Sequence, residues 1–337
     1  MGAVTLSPVE AERLVVDILL GHGAGEANAA LTARALVAAE IDGQQGHGLS
    51  RAASYAAQLQ SGKVDGFAAP EIVERHGAMV RIDAANGFAY PALDMAVREL
   101  ETLAARNRIA AAAVFRSHHL GQAGYHVERL ADRGLVALLF GNTPQAIAPW
   151  GGRKGVFGTN PVAFAAPRVS GPPLVIDLAL SKAARGKVAL AHRRGESIPE
   201  GWALDADGRP TSDPAAALEG TMLPLGDAKG SALVLMVEVL AAALTGAHFG
   251  FECGGSFLTP EGGPPGVGQL LLAFDPGRLS GGGFSRRLEV LLSAVDAQEG
   301  ARLPGANRAE RRRRAGEEGI RIDQALFREL DALRCPA

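Results

Sequence analysis

The chain has 337 residues, of which 34 are Lys or Arg and 36 are Asp or Glu, so its formal charge is only -2. That balance excludes a nucleic-acid binder, which needs a basic excess on one face, and a polybasic membrane anchor, which needs like charges clustered beside an apolar segment. An apolar fraction of 47% with 21% charged residues is ordinary for a globular protein, and a chain of this length buries roughly three quarters of the surface its unfolded form exposes.

Elements follow in chain order. Ser7-Pro8-Val9-Glu10 is a capping box with proline at the first helical position, and Leu14, Ile18 and Leu19 continue it at helical spacing as far as Gly21. Further amphipathic helices are predicted from about Glu26 to Asp42 and from about Ser50 to Ser61, each stopped by a glycine. After Pro70 the apolar runs shorten to strand length: Met79 to Asp83, Ile109 to Phe115, Leu135 to Phe140 and Leu174 to Leu178. Helices are predicted between them at about Ala92 to Arg106 and Gln122 to Arg133, and another begins within Ser181 to Lys187. Glu196 to Ala228 is turn-rich. An apolar helix from about Lys229 to Thr245 and a strand from Gln269 to Phe274 come next, then helices at about Phe284 to Glu299, Ala306 to Glu317 and Asp323 to Leu333. This is an α/β layout with helical ends. It predicts a helical domain built from residues 1–70 and 300–337, around an inserted α/β domain of residues 71–299. Gly is 43 of 337 and aromatics only 5%, so the interior is expected to be Ala, Leu and Val in close contact.

Cys253 and Cys335 are the only cysteines, and the second lies at the terminus, so no disulfide is expected. Met1 to Ser7 runs straight into a polar helix with no signal-like apolar core, and Ser231 to Ala247 is interrupted by Glu238 before reaching the ~20 residues of a membrane span. A cytoplasmic location is expected.

No G-x-G-x-x-G follows a strand and opens a helix, so the usual dinucleotide fingerprint is absent. The densest chemistry is Gly43-Gln44-Gln45-Gly46-His47-Gly48-Leu49-Ser50-Arg51, where an imidazole between glycines precedes an arginine by four residues. Such a pair suits a 2-oxo acid, the guanidinium forking the carboxylate while the imidazole exchanges a proton with the neighbouring oxygen. Read alone, the segment is better explained as a helix-capping loop with a surface histidine. Ser117-His118-His119-Leu120-Gly121-Gln122-Ala123 lies between a strand and a helix, where free helix N–H groups meet anionic ligands. Gly141-Asn142-Thr143-Pro144 and Gly158-Thr159-Asn160-Pro161 are matching turns. Asp177 ends a strand, as a helix cap or a ribose-binding carboxylate would. Arg311 to Arg314, flanked by glutamates, reads as a solvated helix face.

In this order and spacing the segments 43–51, 117–125, 149–167, 175–187, 199–214 and 223–246 resemble the malate/L-lactate dehydrogenase-like oxidoreductases, a family that includes sulfolactate and ureidoglycolate dehydrogenases and cyclic imino-acid reductases. The resemblance spans nearly the whole chain. It implies a non-Rossmann α/β fold of the L-sulfolactate dehydrogenase-like type, NAD or NADP as cofactor, a small carboxylic acid as substrate, and a homodimer. It implies Arg51 as carboxylate clamp, Thr159 as a second substrate contact, and either His47 or His119 as proton exchanger. It implies cofactor contacts at Leu120, Gly121, Gln122, Ala123, Thr143, Asp177, Leu178, Ala179, Lys187, Lys229, Gly230 and Arg308. Two positions depart from the family pattern. Gly46 stands where serine is usual, and Lys187 stands where the imino-acid reductases carry the aspartate of a serine–histidine–aspartate relay. The second departure favours a 2-oxo or 2-hydroxy acid over a cyclic imine.

Overall fold

The computed structural model describes residues 2–334, so Cys335, and with it the expectation about a disulfide, lies outside the described residues. Strand β1 (Ala3–Leu6) leads into α1 (Pro8–Gly21), whose capping box forms as the sequence indicates: Ser7 Oγ accepts the Glu10 N–H, and the Glu10 carboxylate accepts the Ser7 N–H. Helices α2 (Glu26–Ile41) and α3 (Arg51–Gln60) complete this layer. Then come β2 (Glu71–His76), β3 (Met79–Asp83), α4 (Ala89–Asn107), β4 (Ile109–Ser117), α5 (Ala123–Ala131), β5 (Val136–Gly141), β6 (Val162–Ala166) and β7 (Leu174–Leu178).

The helix expected to begin within Ser181 to Lys187 starts only at Arg185, as α6 (Arg185–Arg194). The residues before it are drawn into extended pairing, since the Leu180 and Lys182 N–H groups donate to the carbonyls of Thr159 and Leu223. The turn-rich stretch forms a small antiparallel sheet of β8 (Ala203–Leu204), β9 (Pro210–Thr211) and β10 (Thr221–Met222), with the short helix α7 (Pro214–Glu219). Helix α8 (Asp227–Glu238) continues into a wide turn at Val239–Ala243. The chain ends with β11 (Val267–Phe274), α9 (Pro276–Leu279), α10 (Phe284–Asp296), α11 (Ala306–Glu318), β12 (Ile320–Asp323) and α12 (Gln324–Ala332).

Seven strands form one sheet in the order β2-β3-β4-β11-β5-β6-β7, and only β3 and β4 pair in parallel. Successive parallel βαβ units, the basis of a doubly wound nucleotide fold, are therefore not how this sheet is built. On β4, Ala111, Ala112 and Ala113 stand opposite Leu272, Leu271 and Leu270 of β11; small against large side chains let the covering helices approach the sheet closely. One face packs on α4 and α5 through Val80, Ile82, Val97, Leu100, Leu130 and Leu271. The other face packs with α8 and the small sheet through Ile147, Phe157, Val188, Val234 and Val237. A third core joins α1, α2 and α3 to Ile320, Ile322 and Leu330 from the other end of the chain, and β1 pairs with β12. Each fully buried aliphatic side chain contributes about 1.5–3 kcal/mol. No helix among the described residues is long and apolar enough to cross a membrane.

This topology gathers the chemistry at one edge of the sheet. There β4 and β5 end beside the start of β11, with Ser117 opposite Val267 and Gly141 opposite Gln269, while β7 ends beside the start of β6. The helical layer closes over that edge, since Tyr55 of α3 reaches His119 just after β4.

Candidate active site

His47, at the end of a single helical turn (Gln45–His47), and His119, in the loop after β4, meet with Nδ1 of the first 3.1 Å from Nε2 of the second and their rings stacked. Nδ1 of His119 lies 2.6 Å from the Tyr55 hydroxyl, which is 3.0 Å from the Tyr90 hydroxyl. Phe257 closes the other side of the pair, its ring centroid 5.2 Å from that of His119. Burial, then the charge of Arg51, lowers the His47 pKa to about 4, and the same two causes push His119 well below the ordinary histidine value. Both rings are neutral at pH 7. Nε2 of His47 makes no hydrogen bond among the described residues and is left to a ligand.

Arg51 opens α3, and its guanidinium is oriented by two carbonyls: Nε donates to Gly46 O at 2.7 Å and one terminal nitrogen to Phe257 O at 3.4 Å. The remaining N–H groups are available to a carboxylate. The loop carrying Phe257 is held by α3 and the residues after it. Gln58 donates to the Phe257 carbonyl, and the buried Lys63 ammonium donates to the carbonyls of Ser256, Thr259 and Glu261. Serine at position 46 would add a hydroxyl beside His47; Gly46 leaves that space open, with nothing within 4 Å of where a Cβ would stand.

A separate cavity of about 460 Å³ is lined by Asp42, Gln44, Arg302, Pro304, Arg308 and Arg311 among others, its Gln44 lying three residues before His47. Asp177 stands next to it and caps a helix distant in sequence: its carboxylate accepts the Gly124 N–H at 2.8 Å, in the first turn of α5. Burial raises the Asp177 pKa, and the Gly124 bond and the Arg308 charge oppose that rise. Arg308 Nη1 is buried without a hydrogen-bond partner among the described residues, beside Gly124, where a Cβ would come within 3.2 Å of it. An unpartnered guanidinium nitrogen, a helix N-terminus and a bare backbone together fit an anionic, nucleotide-sized group.

The matching turns at Asn142 and Asn160 are more than turns. Both asparagine amides donate to the buried carboxylate of Glu238, which also accepts the Gly250 N–H at 2.7 Å. Thr143 and Thr159 are thereby held together, the Thr159 N–H donating to Thr143 Oγ1 at 2.9 Å.

The structure thus gathers His47, His119 and Arg51 around Phe257, and places Asp177 and Arg308 beside one cavity. Gly121 is packed under the Tyr90 hydroxyl, and Ala123 opens α5. The Leu120 side chain covers Gly141 in the core, and Gln122 donates to Asp42, so neither side chain points freely at a ligand. Leu178 and Ala179 are exposed just beyond Asp177. Gly230 lies where a Cβ would meet the Leu225 carbonyl at 1.4 Å, so its absence of a side chain is a packing need of the turn into α8. The Lys187 and Lys229 side chains are exposed and make no hydrogen bond or ion pair among the described residues. The expected solvated face at Arg311 to Arg314 is corrected at Arg312, which forks both Asp42 and Glu128 between α2 and α5, because α11 lies against those helices. Sequence reasoning missed Tyr55, Tyr90, Phe257 and Glu238. For Tyr55 the signal was present: it lies four residues after Arg51 on one helix and so shares its face.

The family model described as malate/L-lactate dehydrogenase matches residues 6–331. The chain belongs to that family, a family of oxidoreductases. It is 52% identical to the (2R)-3-sulfolactate dehydrogenase (NADP(+)) of Chromohalobacter salexigens, over 96% of each chain. Among solved structures it is similar to delta1-piperideine-2-carboxylate reductase of Pseudomonas syringae pv. tomato, with a TM-score of 0.92, 41% identity, and 98% and 99% of the two chains covered. It is likewise similar to the sulfolactate dehydrogenase of Methanocaldococcus jannaschii, with a TM-score of 0.89, 31% identity, and 98% and 96% covered. The expected fold is the observed one.

Proposed function

We propose that this chain is an NAD(P)-dependent 2-hydroxyacid dehydrogenase acting, in reverse, as a 2-oxoacid reductase on malate-, lactate- or sulfolactate-like acids. The observation that carries the reading is the free His47 Nε2 beside an arginine whose carbonyl partners leave its remaining N–H groups open. Arg51 holds the substrate carboxylate, which also offsets the charge that depresses the neighbouring imidazoles. His47, backed by His119, exchanges the proton at the C2 oxygen. Arg308, with Asp177 and the first turn of α5, holds the nucleotide, and Thr143, Thr159, Lys229 and Lys187 complete the family's contact set. When bound, the nicotinamide supplies or takes up the hydride at C2. Arg302, Arg308 and Arg311 around one cavity favour NADP over NAD. The cavity is lined by both ends of the proposed terminal helical domain (1–70 and 300–337), whereas the histidine pair joins that domain to the proposed inserted one (71–299), which supplies His119 and Phe257.

A panel of pyruvate, oxaloacetate, sulfopyruvate and pyrroline-2-carboxylate with NADH and NADPH, read at the nicotinamide absorbance, tests the assignment. The expected outcome is turnover of at least one 2-oxo acid, faster with NADPH; turnover of the cyclic imine alone would replace the assignment by imino-acid reduction, the activity named for the Pseudomonas syringae relative. No turnover with any of them, despite nucleotide binding, would indicate an inactive homologue.

The homodimer is proposed through α8 and the turn after it. There Leu233, Met236, Val239 and Leu244 are exposed although that segment also packs on the sheet with its other side, and an all-round apolar helix is normally covered on both sides. Light scattering should return twice the 34.8 kDa chain mass; a monomer mass, or a dimer unaffected by Met236→Glu with Leu233→Glu, would place the interface elsewhere or remove it.

A further inference from the structure

Tyr55 and Tyr90 are two of only three tyrosines in the chain, and neither takes part in the chemistry proposed above. Their hydroxyls nonetheless meet each other inside the protein, and one of them meets the catalytic pair. Tyr55 is completely buried, its ring tilted on Phe88 and edge-on to both His118 and His119. A hydroxyl buried in such an apolar wall is retained only if it is hydrogen-bonded, and here it has two partners.

The direction of this chain of hydrogen bonds follows from its far end. The only partner of the Tyr90 hydroxyl among the described residues is the Tyr55 oxygen. If Tyr55 donated to Tyr90, the Tyr90 proton would be buried without an acceptor, costing roughly the desolvation of one donor; an unused acceptor lone pair costs less. Tyr90 therefore donates to Tyr55, and Tyr55 donates to Nδ1 of His119. The neutral His119 ring must then carry its proton on Nε2, which donates across 3.1 Å to Nδ1 of His47. That fixes the second ring as well: His47 carries its proton on Nε2, the nitrogen left open to a ligand.

We infer that Tyr55, oriented by Tyr90, is a positioning residue that sets the tautomers of His119 and His47, presenting the His47 Nε2–H as donor to the C2 oxygen of a bound 2-oxo acid; the proton given up there as the hydride arrives is regained from solvent at the same open nitrogen once the product leaves, and alcohol oxidation begins from the form that lacks it. The inference rests on the proposed function for the meaning of that proton, although the tautomers themselves do not. In this chain Gly46 offers no hydroxyl to orient His47, so the work of holding its Nδ1 falls to His119 and the two tyrosines behind it. Arg51 bears on both rings and His118 on His119, while the nearby Glu40 carboxylate is taken by the Leu49 N–H, so among the described residues no carboxylate hydrogen-bonds either ring of the pair. Burial also pushes the Tyr55 phenol up to about 12, keeping it a donor throughout the neutral range.

The tautomers are read directly from long-range proton–nitrogen NMR spectra of the histidine rings at pH 7.5, in wild type, Tyr55→Phe and Tyr90→Phe. In wild type, His119 should show an unprotonated Nδ1 and a protonated Nε2, and His47 the same pattern. Tyr55→Phe keeps the ring against Phe88 and removes only the hydroxyl; it should turn both rings into tautomer mixtures and lower kcat on the order of tenfold to a hundredfold with KM nearly unchanged. Tyr90→Phe should loosen the tautomers with a smaller loss in kcat. A protonated Nδ1 on His119 in wild type overturns the inference, as does a His119 pattern that Tyr55→Phe leaves unmoved. The wild-type spectrum needs neither a variant that folds nor a substrate, so a correct tautomer pattern in a protein that reduces no acid would count against the proposed function alone.

Discussion

Arg51→Ala should lower kcat/KM for every accepted carboxylic acid by two to three orders of magnitude, chiefly through KM, with cofactor affinity intact. Two charge-assisted hydrogen bonds from a guanidinium to a carboxylate are worth about 3–4 kcal/mol together when the site excludes water. In this protein the fork is also oriented in advance. The Gly46 and Phe257 carbonyls fix the plane of the guanidinium before any ligand arrives, and Gln58 and Lys63 fix the loop that provides the second of them. For that reason Arg51→Lys should recover only part of the loss, because an ammonium cannot serve both carbonyls and a carboxylate in one plane. A second signature separates loss of a clamp from general damage. The Arg51 charge is one of the causes holding His47 down at about 4, so without it the acid limb of the rate profile should move up toward the ordinary histidine value. Unchanged kcat/KM for all acids tested would refute the clamp.

What could be read from the sequence was the part written in local chemistry. The capping box at Ser7, the helix stops at glycines and the apolar strand runs depend on residues a few positions apart, and those elements appear within a residue or two of where the pattern puts them. Strands β6 and β12 escaped because Val162–Ala166 and Ile320–Asp323 are short and are stabilised by partners across the sheet rather than by their own periodicity. The site was legible as residue types, but its wiring was not. Nothing in the sequence tells that the two Gly-polar-Pro turns share one carboxylate on α8, or that Arg312 leaves its charged run to pair with Asp42 and Glu128. Those bonds close loops of roughly 80–270 residues, a distance at which spacing carries no information. The neutral overall charge likewise hid a local concentration, since three arginines line one cavity and Asp42 stands among them.

The second large effect is on stability. Acid should weaken the fold steeply between pH 6.5 and about 4, and replacing His118 should flatten that slope. His118 and His126 are buried, and burial lowers their pKa values to about 3 and about 4. In the unfolded chain both titrate near 6.5. Above that pH neither state holds the extra proton and the full stability is present. As the pH falls below it, the unfolded chain takes up protons that the folded one refuses, so each of these groups removes about 1.4 kcal/mol of stability per pH unit until its folded pKa is reached. At pH 4 the loss is about 3 kcal/mol for each, a large share of the 5–15 kcal/mol typical of a domain. His119, lowered by the same causes, adds in the same direction. The two residues differ in what their rings do: His126 Nε2 donates to the Leu120 carbonyl, whereas neither ring nitrogen of His118 has a partner among the described residues, the ring lying against Tyr55, Phe88 and Phe257. His118→Leu therefore gives up no hydrogen bond. Urea midpoints measured at pH 7.5, 6, 5 and 4.5 should converge or cross in favour of the variant as the pH falls, with a slope shallower by about one proton. Parallel slopes for wild type and His118→Leu would show that His118 is charged in the folded protein and that its environment holds a partner for it.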